Sequence, residues 1–451
     1  MTPKAKGLSL FALTMIAIGA TIGSGIFKTP SDITTKVPDP KWIMILWILG
    51  GVVSLLGALV FAELGSRFPK AGGVYSYLTE IYGPLPGFLY GWCLLTVISS
   101  GTIAALCVVF AEYINPFIGL PEAYEPYLAM FSIVVLTMFN MFGIKSSEWF
   151  ANISTVLKVV GIYALLLVTL FLGDKTIFGS HLAETVAAPA SGGNNLYAMA
   201  FVGVLWSYTG WHYSSFVAGE ARNPKRDIPL AMLFGTGAVT LTYVLCNMGY
   251  LSALDISSIQ NSKIVAADAL EAVSPGSGSY ISLLIAISVF GCAGLYVLST
   301  PRIFHQMAND GVFFKIFSRS HPKFGVPVNA ILMQSVWAIF LVYFWGKFEN
   351  IINYVTFVEW LFLLIACAGI FVVRYRLKLQ KSVVLDQTEP KQDDRTFKTP
   401  LYPVVPILFV AIIGWFISQN IFSEQKEVYA GLIVLPVGIL FYALFRYFNR
   451  K

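Results

Sequence analysis

The stretch AIGATIGSGIF, residues 17–27, decides how this chain folds. It lies in the middle of an apolar segment, residues 9–35, that is long enough to cross a bilayer. Glycine costs about 1 kcal/mol relative to alanine inside a helix, so three clustered glycines predict a local unwinding at Gly23 to Gly25. Unwinding exposes backbone N–H groups at the start of the next half-helix, where the helix dipole favours an anion. Glycines at this spacing are equally typical of close packing between membrane helices, and both interpretations stay open.

The composition of the whole chain indicates an integral membrane protein. Of its 451 residues 57% are hydrophobic and 12% charged, with a mean hydropathy of +0.72. Soluble proteins contain about 25% charged residues, so this composition disfavours a soluble enzyme, a nucleic-acid-binding protein or a secreted scaffold. Outward from residues 9–35, the hydropathy pattern predicts twelve spans: 9–35, 42–66, 85–114, 124–144, 149–172, 195–218, 229–252, 278–308, 327–346, 350–373, 402–420 and 428–446.

The distribution of basic residues predicts the orientation. An even number of spans puts both termini on one side, and 22 of the 30 lysines and arginines lie in loops and tails of that side. Cytoplasmic loops carry the excess of positive charge, so both termini are expected in the cytoplasm of a multi-pass protein of the cell membrane.

The sixth span contains a second interruption. WSYTGWH, residues 206–212, places a glycine beside threonine and serine, which favours a break at Gly210. Paired breaks in corresponding spans mark the binding site of inverted-repeat transporters. We therefore predict an all-α membrane protein: a ten-helix transport core, 1–373, with halves at about 9–172 and 195–373 and discontinuous first and sixth helices. A mobile cytoplasmic linker, 374–401, and a two-helix appendix, 402–451, follow the core.

Two charged side chains fall inside predicted spans. Lysine at the bilayer centre costs about 2.5–3.5 kcal/mol, so Lys158 of the fifth span is expected to face the protein interior with a partner. Glu359 of the tenth span is expected either to pair with a basic or hydroxyl group or to titrate during transport. His212, just after the second break, is interpreted as a packing residue or a neighbour of the substrate.

Chemistry other than transport finds little support in the sequence. The cysteines Cys93, Cys107, Cys246, Cys292 and Cys367 all lie in apolar stretches without ligand spacing, and no nucleophile–base set or phosphate loop appears. We therefore expect no enzyme activity, no catalytic residues, no cofactor and no metal site. The positive charge needs no nucleic-acid partner, because it follows the orientation bias.

Several motifs in order resemble the amino acid-polyamine-organocation superfamily, and its L-type amino acid transporter branch in particular. They are GSGIF (23–27) with Pro30, ELGSRFP (63–69), SYTGW (207–211), PVNA (327–330) and RTFKTPLYPVVP (395–406). The resemblance covers nearly the whole chain. It implies a five-plus-five inverted-repeat transporter that moves amino acids by alternating access, commonly by exchange.

The resemblance also implies where the substrate binds. Its carboxylate would meet the amides of Gly23, Ser24 and Gly25, and its amino group the carbonyls of Thr21, Ile22, Trp206 and Thr209. Trp206 would be an aromatic gate, and Cys292 and Tyr296 would face the pocket from the eighth span. The family often has glycine where this chain has Thr209. Lys158 would lie beside the cation site of sodium-coupled relatives and replace that cation, either as a fixed tether to first-span carbonyls or as a proton-coupled group.

These expectations favour an exchanger of small neutral L-amino acids. A proton-coupled symporter, a uniporter, or a carrier of cationic amino acids or polyamines are the alternatives, and an amino acid receptor is the least favoured. In eukaryotic light chains of this branch, a cysteine between the third and fourth spans bonds a heavy subunit. Residues 115–126 contain no cysteine, so no disulfide-linked heavy chain is expected.

Overall fold

The computed structural model describes residues 7–70, 72–141, 144–174, 179, 195–322, 325–383, 396–423 and 425–448. Within these ranges the regular elements are helices, and no sheet is present. The first part of the chain forms α1 (Leu10–Thr21), α2 (Gly25–Lys36), α3 (Pro40–Arg67), α4 (Val74–Tyr82), α5 (Pro84–Cys93), α6 (Ser99–Ile118), α7 (Glu125–Met141) and α8 (Ile144–Leu172). A π-helical turn, Leu94–Ile98, joins α5 to α6, and a 3-10 turn, Glu122–Tyr124, precedes α7.

The second part of the chain begins with another interrupted span. Its helices are α9 (Asn195–Tyr208), α10 (Pro224–Ala253), α11 (Ile256–Asn261), α12 (Val265–Val273), α13 (Gly278–Ser299), α14 (Pro301–Asn309), α15 (Val328–Trp345), α16 (Phe348–Val383), α17 (Val404–Phe422) and α18 (Lys426–Phe448). A 3-10 segment, Trp211–Glu220, follows α9, and a 3-10 turn, Lys315–Ser318, precedes α15.

The prediction of an all-helical, multi-pass membrane protein is confirmed. Nine helices or helix pairs among the described residues are long and apolar enough to cross a membrane. The other three predicted spans, 124–144, 149–172 and 195–218, also fall on helices, namely α7, α8 and α9, but their described apolar stretches are shorter. The count of twelve spans and the inverted repeat stay predictions.

The tenth span extends beyond the end expected for it at residue 373. Helix α16 continues to Val383, so the first part of the predicted linker is helical. Arg374 explains part of this extension, because its guanidinium binds the buried carboxylate of Glu63 on α3 at 2.6 Å. Residues 384–395, the middle of that predicted linker, lie outside the described ranges.

The two interrupted spans pack against each other at the centre of the helix bundle. Helix α2 lies along α9, and α1 lies along the 3-10 segment Trp211–Glu220, so each half of one span meets the opposite half of the other. The α5–α6 span beside them has 94% of its most apolar stretch buried, whereas α18 has 17%. The core therefore surrounds the two breaks, and α18 lies at the periphery.

Candidate functional site

The first break lies one residue before its predicted position. Helix α1 ends at Thr21 and α2 begins at Gly25, so the non-helical residues are Ile22, Gly23 and Ser24. The amide of Gly23 donates to the Thr21 carbonyl at 2.9 Å, which closes a tight turn. A helix start leaves its first N–H groups without an intrahelical acceptor, so α2 offers amide donors at this turn.

Tyrosines from neighbouring helices hold the start of α2. Pro30 has no N–H, so the Ile26 carbonyl, four residues earlier, loses its helical donor. The Tyr250 hydroxyl of α10 donates to that carbonyl at 3.2 Å, and the Tyr113 hydroxyl of α6 donates to the Phe27 carbonyl at 2.9 Å. Helix α2 is thus fixed from two sides despite its proline.

The second break requires a glycine for two reasons. Gly210 separates α9 from the 3-10 segment and has φ +125°, a conformation that L side chains rarely adopt. A Cβ at this position would also lie 2.6 Å from the carbonyl carbon of Ala20 on α1. The break at Gly210 therefore permits the close crossing of the two interrupted spans.

Tyr243 of α10 connects the two breaks. Its hydroxyl lies 3.0 Å from the Thr21 carbonyl at the end of α1 and 3.0 Å from the Ser207 carbonyl near the end of α9. Both carbonyls belong to last turns, where the helical hydrogen-bonding pattern ends. The contact of Tyr243 with both breaks was not predicted from the sequence, because the residues around a tyrosine in an apolar span do not indicate such a contact.

The structure separates the two interpretations of the first-span glycines. A Cβ on Gly25 would lie 2.5 Å from the Cα of Ser207, so this glycine permits helix contact. A Cβ on Gly23 would meet only the Leu106 side chain, at 3.6 Å, an ordinary contact distance. Gly25 therefore serves packing, whereas Gly23 faces open space.

That open space is a small cavity between the breaks. The described residues that line it are Ala20, Thr21, Gly23, Ser24, Gly25, Thr102, Leu106, Trp206, Thr209, Cys292 and Tyr296. Eight of the nine predicted substrate-binding residues are thus brought together. Ile22 is buried beside them but does not line the cavity.

Three of the lining residues, Ala20, Thr102 and Leu106, were not predicted from the sequence. The last two lie on α6 after the π-helical turn, which shifts the face that this helix presents to its neighbours. The Trp337 indole donates to the Thr96 carbonyl within that turn at 2.6 Å. A polar threonine in an apolar span was the available signal, but the π-helical turn has no sequence pattern of its own.

The cavity presents polar groups but no charged side chain among its described lining residues. The Ser24 hydroxyl is buried and has no hydrogen-bond partner among the described residues. Thr209 differs: its hydroxyl donates to the Leu205 carbonyl at 2.8 Å and accepts from the Trp360 indole at 3.1 Å. Ser24 is consequently available to a ligand, whereas the Thr209 hydroxyl hydrogen is already used.

Lys158 lies behind the cavity, not in its wall. Its ammonium group donates to the Gly19 carbonyl at 2.8 Å, and the Cys292 thiol lies 4.0 Å from the same oxygen. Gly19 belongs to the last turn of α1, where the helix dipole is negative and a cation is favourable. Lys158 therefore ties α8 to the interrupted end of α1.

Glu359 and His212 also lie outside the cavity wall, and they face each other. The distance from Glu359 Oε1 to His212 Nε2 is 3.6 Å, and both side chains are buried. Within the described ranges, no three histidine, cysteine, aspartate or glutamate side chains gather in a way that would hold a metal ion.

Comparisons with known proteins identify the family of this chain. The family model "Amino acid permease" matches residues 8–442. The chain is 30% identical to the b(0,+)-type amino acid transporter 1 of Homo sapiens, over 98% of this chain and 88% of the relative. It is 30% identical to the serine/threonine exchanger SteT of Bacillus subtilis (strain 168), over 95% and 94%, and 28% identical to the human cystine/glutamate transporter, over 99% and 86%. The chain belongs to the amino acid permease family, in the L-type branch of the amino acid-polyamine-organocation superfamily, and is a membrane transporter, not an enzyme.

Proposed function

We propose that this protein exchanges small neutral L-amino acids across the membrane by alternating access, with the substrate in the cavity between the two breaks. The observation that carries the proposal is the uncharged lining of this cavity, beside the unpartnered Ser24 hydroxyl. The space is bounded by the side chains of Leu106, Trp206 and Tyr296, which favours a small ligand.

The two ends of a zwitterion find complementary groups at the two breaks. The carboxylate binds the amides of Gly23, Ser24 and Gly25 and the Ser24 hydroxyl, since a helix start favours an anion. The amino group binds the carbonyls at the ends of α1 and α9 that border the cavity, those of Thr21, Trp206 and Thr209. The Gly23 amide already donates to Thr21, so Ser24 and Gly25 supply the stronger donors.

The remaining lining residues act on the substrate side chain. Trp206 is the gate; its ring lies edge-on to Phe348, with 6.1 Å between centroids, so one aromatic side chain supports the other. Cys292 and Tyr296 limit the space for the side chain from α13. The absence of an acidic lining residue among the described ones disfavours cationic amino acids and polyamines.

Lys158 supports exchange without sodium. Its ammonium contacts the α1 carbonyl of Gly19 at 2.8 Å and acts as a fixed positive charge in place of a coupling cation. One relative, SteT of Bacillus subtilis, is a serine/threonine exchanger, which also favours exchange. We place this site in a core of two five-helix halves with cytoplasmic termini and two accessory helices.

We further propose that the chain works without a disulfide-linked heavy subunit. The five cysteines are all buried inside the described helix bundle, where a thiol does not reach a partner chain. Reconstitution of the chain alone therefore suffices for the test.

The test is uptake of labelled serine or alanine into proteoliposomes, with or without unlabelled amino acid inside, at equal pH on both sides. We expect internal substrate to stimulate uptake strongly, and labelled arginine to be excluded. Ser24→Ala removes the unpartnered hydroxyl and should raise KM about tenfold, because a hydrogen bond to a charged group contributes about 1.5–3 kcal/mol.

The matched control is Ser288→Ala, which removes another buried serine hydroxyl without a described partner, but outside the cavity wall. This variant should keep the wild-type KM. If uptake requires a proton gradient and is not stimulated by internal substrate, the protein is a symporter and not an exchanger. If Ser24→Ala and Ser288→Ala change KM equally, the proposed binding site is wrong.

A further inference from the structure

A pair of titratable side chains is enclosed beside the second break, apart from the substrate-binding residues. His212 has a relative exposure of 0% and Glu359 of 2%, and 3.6 Å separates His212 Nε2 from Glu359 Oε1. Neither ring nitrogen of His212 nor Oε1 of Glu359 has a hydrogen-bond partner among the described residues. Buried polar atoms in folded proteins are nearly always paired, and a proton shared between the two side chains would pair one atom of each.

Among the described residues, aromatic side chains surround this pair. The rings of Phe61 and Phe216 flank His212 at centroid distances of 6.1 and 5.9 Å. Three phenols interact electrostatically with Glu359: Tyr90 on α5, Tyr213 on the 3-10 segment and Tyr296 on α13. Phenols at neutral pH do not neutralise a carboxylate.

The net charge of the His212–Glu359 pair determines how many protons it binds. With no proton, the pair is an uncompensated carboxylate in the protein interior; with two, it is an uncompensated imidazolium. Both states carry a desolvation cost of several kcal/mol. With one proton the pair is neutral overall, as carboxylic acid with imidazole or as carboxylate with imidazolium. We infer that His212 and Glu359 form a proton-binding site that holds one proton in this conformation.

The site is connected to the substrate cavity. The His212 ring lies 4.8 Å from that of Tyr213, which lies 5.1 Å from that of Tyr296, a cavity-lining residue. His212 is the second residue after Gly210, whereas Glu359 lies on the separate helix α16. As part of this proposal, motion of the 3-10 segment during transport separates His212 from Glu359 and admits water, so the pair is no longer held to a single proton. This step rests on the proposed function: exchange requires the pair in its one-proton state each time the segment closes.

The first test is the pH dependence of exchange at equal pH on both sides of the proteoliposome. Wild-type exchange should fall at alkaline pH, by up to about tenfold per pH unit once the pair titrates. Glu359→Gln removes the carboxylate, so the pair carries no negative charge at alkaline pH and the decline should disappear, whereas Glu359→Asp should retain it. Thr356→Val is the matched control: it removes another buried, unpartnered polar group one turn earlier on α16 and should keep the wild-type pH profile.

The second test needs no transport. Infrared difference spectra of the purified protein, recorded between neutral and alkaline pH, should show the carbonyl band of a protonated carboxyl group or the ring bands of imidazolium. This titrating signal should vanish in Glu359→Gln and persist in Thr356→Val. The same signal in Glu359→Gln, or an unchanged alkaline decline in that variant, would overturn the proton site. If wild-type protein shows the titration but no exchange, the proposed function fails and the proton site stands.

Discussion

Two glycines of one motif have different physical roles in this protein. Gly25 lies against the backbone of Ser207, where a methyl group has no room, whereas Gly23 borders the cavity and meets only Leu106. The motif GSGIF does not distinguish its two glycines in the sequence. In the structure, Gly25 permits close helix packing, whereas Gly23 leaves space for a ligand. The substitution Gly25→Leu would accordingly test folding more than binding.

At the residue scale, we predict that Gly23→Ala folds normally but binds substrate poorly. Its methyl group enters the cavity beside the amide donors and should raise KM about tenfold or more, because overpacking costs about 1–3 kcal/mol. Gly25→Ala should instead lower the thermal stability. The measurements are KM for exchange and the melting temperature in detergent; a loss of stability in Gly23→Ala equal to that in Gly25→Ala would contradict this division.

The interrupted helices are stabilised by their neighbours more than by their own sequence. Helix α2 begins after a turn and contains Pro30, and hydroxyls from α6 and α10 complete its hydrogen bonding. Helix α1 ends on carbonyls that face Tyr243 and Lys158. Side chains of neighbouring helices therefore satisfy the free backbone carbonyls of each interrupted helix. Irregular backbone is tolerated inside a membrane when such partners are present.

At the element scale, we predict that Lys158→Met leaves the protein folded but slows exchange about tenfold. The variant keeps the length of the side chain and removes the bond to Gly19, worth about 1.5–3 kcal/mol, so α1 is no longer tied to α8. Turnover of labelled substrate and KM would be measured separately. If turnover is normal and only the melting temperature falls, Lys158 stabilises the fold but has no role in transport.

The buried carboxylate of Glu63 connects parts of the chain that are far apart in the sequence. Arg67 and Arg374 bind it at 2.7 and 2.6 Å, and the Thr399 amide donates to it at 2.7 Å. The Arg374 guanidinium also lies 3.8 Å above the Tyr402 ring. One carboxylate thereby joins α3, α16 and the segment before α17.

At the scale of the whole molecule, we predict that Arg374→Gln lowers the melting temperature by several degrees, because hydrogen bonds to a charged group contribute about 1.5–3 kcal/mol. Arg376→Gln, on the same helix but exposed, should have little effect. In a double-mutant cycle with Glu63→Gln, the loss should be less than the sum of the single losses. Additive losses would show that the two side chains do not stabilise each other.

The membrane-spanning, all-helical class, both helix breaks and most cavity-lining residues could be predicted from the sequence. Composition, glycine positions and the order of the motifs can all be read along the chain without knowledge of its fold. Tertiary structure decided which glycine faces the cavity and that Thr102 and Leu106 join it across a π-helical turn. It also decided that Tyr243 bridges the breaks and that Glu359 faces His212. These contacts join residues that are far apart in the chain. Their geometry depends on how separate helices cross, which cannot be read from any one segment of the sequence.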